Sequence, residues 1–167
     1  MDRKVDAEGL KRLTEVFRTA GAADPESWAR SQLQEGIPQL ARFSFTKAAW
    51  TGVMEESNTK LVRERGEFSN AESTAPLSQA DTAIKNMLDH GVSAETIVDL
   101  IRGTQYEAIY NTLCLIDGVF ELDTPVSRWG LYTEDENEKP IEKIPSCHES
   151  LLSLDPTGRE MRPKPRT

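Results

Sequence analysis

Long apolar runs are missing from this chain: no stretch approaches the roughly 18 consecutive apolar residues that a membrane-spanning helix needs, and mean hydropathy is -0.54. Two cysteines, Cys114 and Cys147, are too few for a disulfide framework and are expected to remain thiols in a reducing compartment. Only two histidines, His90 and His148, are available for proton transfer or metal ligation. Neither a C-x-x-C nor an H-x-x-x-H pair occurs, so no zinc or other metal site is expected. G-x-G-x-x-G and G-x-x-x-x-G-K-[ST] are both missing, which removes those two routes to nucleotide binding and leaves no cofactor implied. The amino-terminal residues Met1 to Lys4 lead into a charged amphipathic segment without the apolar core of a signal peptide, so a cytoplasmic protein is expected. Fixed-period repeats and low-complexity blocks are also lacking.

Charge is plentiful and unbalanced. A formal net charge of -8 and a pI near 4.9 set an unfavourable field for phosphate backbones. Nucleic-acid binding is not expected, and a basic protein partner is favoured. The same charge also serves solubility alone. Oligomeric state is not legible.

The 167 residues fit one domain, placed at 1–158, followed by a basic tail, 159–167, expected to be loosely ordered. The clearest stretch runs from Leu77 to Gly118 and reads as a helical hairpin at the centre of the core. Ser78 is placed to cap its first helix, and Ile84, Met87 and Leu88 hold an apolar face until Gly91, which suits a left-handed end with Val92 packed back on Met87. Ser93 caps the second helix, with Ile97, Val98 and Ile101 inward. Gly103 marks an expected break, and Thr104 with Glu107 has capping-box spacing for a restart through Tyr106, Ile109, Tyr110, Leu113 and Ile116.

Upstream, Asp6 caps a helix carrying Leu10, Leu13, Val16 and Phe17 and ending at Gly21. Asp24-Pro25-Glu26 starts a second, with Trp28, Ala29 and Leu33. Gly36-Ile37-Pro38 interrupts. From Gln39 the apolar residues spread around the wheel through Met54 and thin toward Gly66, which reads as one central helix. A connecting loop is expected near 67–76. Beyond Gly118 the period changes toward two, predicting a small β-hairpin near 128–144 with Glu134, Asp135, Glu136, Glu138 and Lys139 at its tip and Pro140 opening the return strand. Ser146 and Glu149 have capping-box spacing for a short helix, stopped by Asp155-Pro156-Thr157-Gly158 as a type I turn. The fold class is therefore mainly α, or α+β if the hairpin is counted: a single-domain helical bundle with a small C-terminal β-hairpin.

The candidate chemistry is sparse. His90 stands where a helix C-terminus favours a cationic ring without any catalytic role. Cys147-His148-Glu149 offers a thiol, an imidazole and a carboxylate, but consecutive helical residues point in different directions and Glu149 has a capping role available. The acidic tip lacks the alternating ligands of a calcium loop. Trp28, Trp50, Tyr106 and Tyr110 at helical spacing read as core in preference to a ligand pocket.

The segments Gln39-Leu40-Ala41-Arg42-Phe43, Gly103-Thr104-Gln105-Tyr106-Glu107 and His148-Glu149-Ser150-Leu151-Leu152, with Asp155 to Arg159, resemble those of uncharacterised small acidic bacterial proteins. The resemblance implies no activity, ligand or functional residue.

Two function classes remain. The residues favour a non-enzymatic bacterial interaction protein, immunity- or antitoxin-like, whose hairpin residues Glu134, Asp135, Glu136 and Glu138 meet a basic partner. The alternative is a small hydrolase or transferase with a pocket between the central helices and the C-terminal segment, using His148 with Glu149 or Asp155.

Overall fold

The computed structural model describes residues 6–70, 72–120 and 129–164. Its elements in chain order are α1 (Ala7–Thr19), α2 (Pro25–Glu35), α3 (Gln39–Ala49), α4 (Thr59–Glu67), α5 (Ser78–Asp89), α6 (Ala94–Asp117), β1 (Leu131–Glu134), β2 (Pro140–Ile144) and α7 (Cys147–Leu151), with short 3-10 turns at Trp50–Gly52 and Leu152–Leu154. The protein is mainly α with a small antiparallel hairpin. The expected approach to that hairpin through Pro125 and Arg128, and the last residues of the basic tail, lie outside the described residues.

The described chain divides into two compact units, one formed by the residues up to Trp50 and from Tyr110 onward, the other by Thr51–Ile109. In the first unit, α1, α2 and α3 enclose an aromatic cluster. Phe17, Ala29 and Phe43 are buried with Leu13, Trp28, Leu40 and Leu154 around them. Phe17 stacks on Trp28 with ring centroids 6.0 Å apart, and Phe43 meets both rings edge-on at 5.7 and 5.4 Å. The helix ends are local and polar. Asp6 accepts from Glu8 and Gly9 N–H, and Asp24 accepts from Ser27 N–H.

The second unit is a different kind of core. Val62 from α4, Ile84 from α5, and Ala94, Ile97 and Val98 from α6 are buried together, with Met87, Leu88, Val92 and Ile101 packed against them. The α5–α6 hairpin is thus the centre of one apolar cluster and not of the other. Its turn has the expected form: Gly91 is left-handed (φ 81°), Val92 N–H reaches Met87 C=O at 3.0 Å, and Gly91 N–H reaches Leu88 C=O at 3.0 Å. Ser93 Oγ accepts Thr96 N–H at 3.1 Å and caps α6.

Several expected boundaries are corrected. Ser78 does not cap α5: the helix begins at Ser78 after a left-handed Leu77 (φ 67°), and the Ser78 hydroxyl donates to Ser73 C=O instead. Gly103 does not break α6, which runs unbroken for 24 residues. Thr104 makes no restart; its hydroxyl donates back to the Leu100 and Ile101 carbonyls, a bond open to any threonine within a helix. The central helix expected from Gln39 to Gly66 is two helices. After Ala49 the backbone tightens and leaves the helix because α6 side chains satisfy its polar groups: Met54 N–H donates to Gln105 Oε1 at 2.8 Å, and the buried Arg102 guanidinium donates to Met54 C=O. Gly66 lies inside the last turn of α4, and a Cβ there would come within 2.8 Å of Leu88 Cδ1. That missing side chain is what lets α4 and α5 approach so closely.

Candidate functional site

Two places hold the chemistry the sequence singles out: the hairpin and the short helix α7. Both belong to the first compact unit.

In the hairpin, Leu131 pairs with Ile144, Tyr132 with Lys143, Thr133 with Glu142 and Glu134 with Pro140, with a bulge between Thr133 and Glu134. Alternation along β1 turns Leu131 and Thr133 inward and leaves Tyr132 and Glu134 exposed. Ile144 is buried and Ile141 is 67% exposed. The tip has an internal organiser. Asp135 Oδ1 accepts the N–H groups of Asn137 (2.8 Å) and Lys139 (3.0 Å), while Asp135 N–H donates to Lys139 C=O and Glu138 N–H to Asp135 C=O. The backbone N–H of Lys139, and then that of Asn137, hold the Asp135 carboxyl below its ordinary range. Of the four expected contact residues, Asp135 is therefore engaged by its own loop, and the exposed carboxylates left to meet a partner are Glu134, Glu136 and Glu138.

At α7 the expected cap is replaced. Ser146 is left-handed (φ 54°) and makes no side-chain cap. Asp117, the last residue of α6, caps the helix in its place. Its Oδ2 accepts the His148 main-chain N–H at 3.0 Å and contacts His148 Nδ1 at 2.7 Å. Both bonds converge on one oxygen. The Asp117 side chain is 4% exposed and that of His148 16%. Tyr110, two helical turns before Asp117 and so on the same side of α6, sets its ring edge-on to the His148 ring with centroids 6.0 Å apart.

The other expected partners are occupied differently. Glu149 points to the α3 residue Arg42 at 3.7 Å, and remains 61% exposed. Asp155, nearly buried, accepts from Thr157 N–H (3.0 Å), Thr157 Oγ1 (2.6 Å) and Met161 N–H (2.9 Å), which shapes the expected turn and ties the start of the basic tail back onto it. The structure thus brings Asp117 to His148, where the sequence suggests Glu149 or Asp155. Asp117 escapes the sequence reading, yet it leaves a trace: an acid in the last turn of a helix opposes the macrodipole and needs a donor to hold it.

Cys147 is a poor nucleophile. Burial first, and then the Asp117 charge, push its thiol up to about 11, with Arg42 and the Thr46 hydroxyl opposing. His90 ends α5, with Nδ1 2.7 Å from Asn86 C=O. Trp50 is buried, and its Nε1 donates to Leu151 C=O at 2.7 Å, fastening α7; Trp28 and Tyr106 are half-buried and Tyr110 is exposed.

Among the described residues no three of His, Cys, Asp and Glu are grouped to hold a metal ion, and no helix is long and apolar enough to cross a membrane. An open cleft of about 740 Å³ lies along α1 and α3, lined by Arg12, Val16, Ala20, Leu40 and Ser44. No protein-family model, curated protein or solved structure matches the chain.

Proposed function

We propose that the chain is a bacterial, intracellular interaction protein that meets a basic protein partner through its hairpin. The observation that carries this reading is the tip itself: Glu134, Glu136 and Glu138 stand exposed on a loop whose backbone is fixed by Asp135. A fixed loop loses less freedom on binding than a floppy one, and clustered carboxylates steer a cationic surface toward it. Exposed Tyr132 and Ile141 add apolar area beside the charges. An immunity- or antitoxin-like role fits such a surface, since it requires recognition and no chemistry. The net charge of -8 argues against nucleic acid as the partner.

The test is capture of partners from the source organism at low and high salt with the full chain and with Glu134→Gln/Glu136→Gln/Glu138→Gln. A basic protein retained by the wild type at low salt, and lost with the variant, supports the reading. Retention of the same partner by the variant, or capture of nothing at either salt, contradicts it. Asp135 is left in place, because its removal would alter the loop as well as the charge.

A further inference from the structure

We propose that His148, held by Asp117, is a general acid–base residue for hydrolysis of a small uncharged carboxylic ester, with Nε2 as the working atom. This site is separate from the hairpin and stands or falls independently of it.

The geometry assigns the ring its roles. Asp117 Oδ2 already accepts the His148 main-chain N–H at 3.0 Å and lies 2.7 Å from Nδ1. A carboxylate accepts and does not donate, so Nδ1 carries the ring proton and the neutral imidazole keeps its lone pair on Nε2. Two bonds to one oxygen fix both the backbone and the ring of the same residue. The other oxygen, Asp117 Oδ1, is buried without a hydrogen-bond partner, so the carboxylate interacts through Oδ2 and stabilises whatever positive charge develops on the imidazole. Burial is divided between the pair: the Asp117 side chain is sealed at 4% exposure, while the His148 side chain retains 16%.

The surroundings narrow the substrate. Tyr110 supplies an aromatic wall beside the ring. Asp117 and Glu149 carry negative charge and Arg42 is the positive group among them, leaving an excess of one negative charge from these three around the ring. An anionic ester is therefore disfavoured relative to an uncharged one. Cys147 is fully buried, and burial also raises its thiol, so the thiol is out of reach of substrate and water takes the role of nucleophile. Nε2 takes a proton from water as its oxygen bonds to the ester carbonyl carbon. The tetrahedral species then expels the alkoxide, which receives that proton from Nε2, giving a carboxylic acid and an alcohol with the imidazole restored. Asp117 is the positioning residue throughout.

The probe is p-nitrophenyl acetate, hydrolysed by the full chain and compared with free imidazole at the same concentration. Wild type and His90→Gln should turn over at least about tenfold faster than imidazole, and His148→Gln should fall to background. Asp117→Asn should be at least about tenfold slower, with an altered dependence of rate on pH that a purely structural role would not produce. If His148→Gln fails to fold by circular dichroism, wild-type protein is treated with diethyl pyrocarbonate and mapped by mass spectrometry. Modification of His148 in step with loss of rate supports the proposal. A wild-type rate no better than imidazole overturns it, as does full activity in His148→Gln or after His148 is modified, or an unchanged rate and pH profile in Asp117→Asn.

Discussion

The apolar cluster of α4, α5 and α6 and the C-terminal segment around α7 are held in different proportions by apolar burial and by single polar links. In the first, Val62, Ile84, Ala94, Ile97 and Val98 exclude water together, and the turn between α5 and α6 satisfies its own backbone. In the second, a five-residue helix too short to persist alone buries Cys147 and Leu151 and is further fastened by single polar links, Trp50 Nε1 to Leu151 C=O and Asp117 to His148 from distant positions and Asp155 within its own turn. Burial of many small apolar contacts tolerates no large hole but survives local change. A short segment that adds a few polar contacts to its burial is more sensitive to the loss of any one of them.

The largest effect should come from opening the apolar cluster. Ile97→Ala removes a fully buried side chain and should cost about 3–4 kcal/mol of unfolding free energy in urea titration. Asp117→Ala should cost about 2–3 kcal/mol, by removing the cap of α7 and the partner of His148 together. A loss below about 0.5 kcal/mol would mean that burial of Cys147 and Leu151 is enough to hold the C-terminal segment without the Asp117 link.

Two glycines sharpen the same contrast with opposite signs. Gly66→Ala should destabilise by about 1–2 kcal/mol, since the new Cβ meets Leu88 Cδ1 at 2.8 Å and lies near Lys85 and Ile84. Gly103→Ala meets nothing within 4 Å in the middle of a continuous helix and should raise stability by about 0.5–1 kcal/mol. Destabilisation by Gly103→Ala would restore the break in α6 that the sequence suggests.

The smallest effect at neutral pH belongs to Cys147. Its thiol titrates at about 11 in the folded protein against an ordinary value of 9.0, so the folded state holds this proton more tightly than the unfolded chain. The resulting contribution is fully present below pH 9 and is lost as pH rises from 9 toward 11. In that window wild type should lose stability more steeply than Cys147→Ala, whereas equal slopes would place the thiol in contact with solvent.

This division also explains what the sequence reveals. Helix starts at Asp6, Asp24 and Ser93, the interruption at Gly36-Ile37-Pro38 and the left-handed end at Gly91 are local signals, each readable within a few residues. The mainly α class and the hairpin with its acidic tip follow from periodicity and turn chemistry in the same way. The split of the long helix after Ala49 is not legible, because its cause is Gln105 and Arg102, about 50 residues away. Ser146 and Glu149 have the spacing of a capping box, yet Asp117 takes the cap from 31 residues upstream. The His148 environment is half legible: the imidazole stands out by scarcity, but its carboxylate can be found only by asking why Asp117 ends a helix whose dipole repels it.

The most direct measurement is a double-mutant cycle on Asp117→Asn and His148→Gln, read by urea denaturation of the single variants, the double variant and the wild type. If Asp117 organises the C-terminal segment through His148, the two substitutions will be non-additive, with a coupling of about 1 kcal/mol or more. Additivity to within about 0.3 kcal/mol would contradict the account, leaving the two residues as neighbours that do not depend on each other.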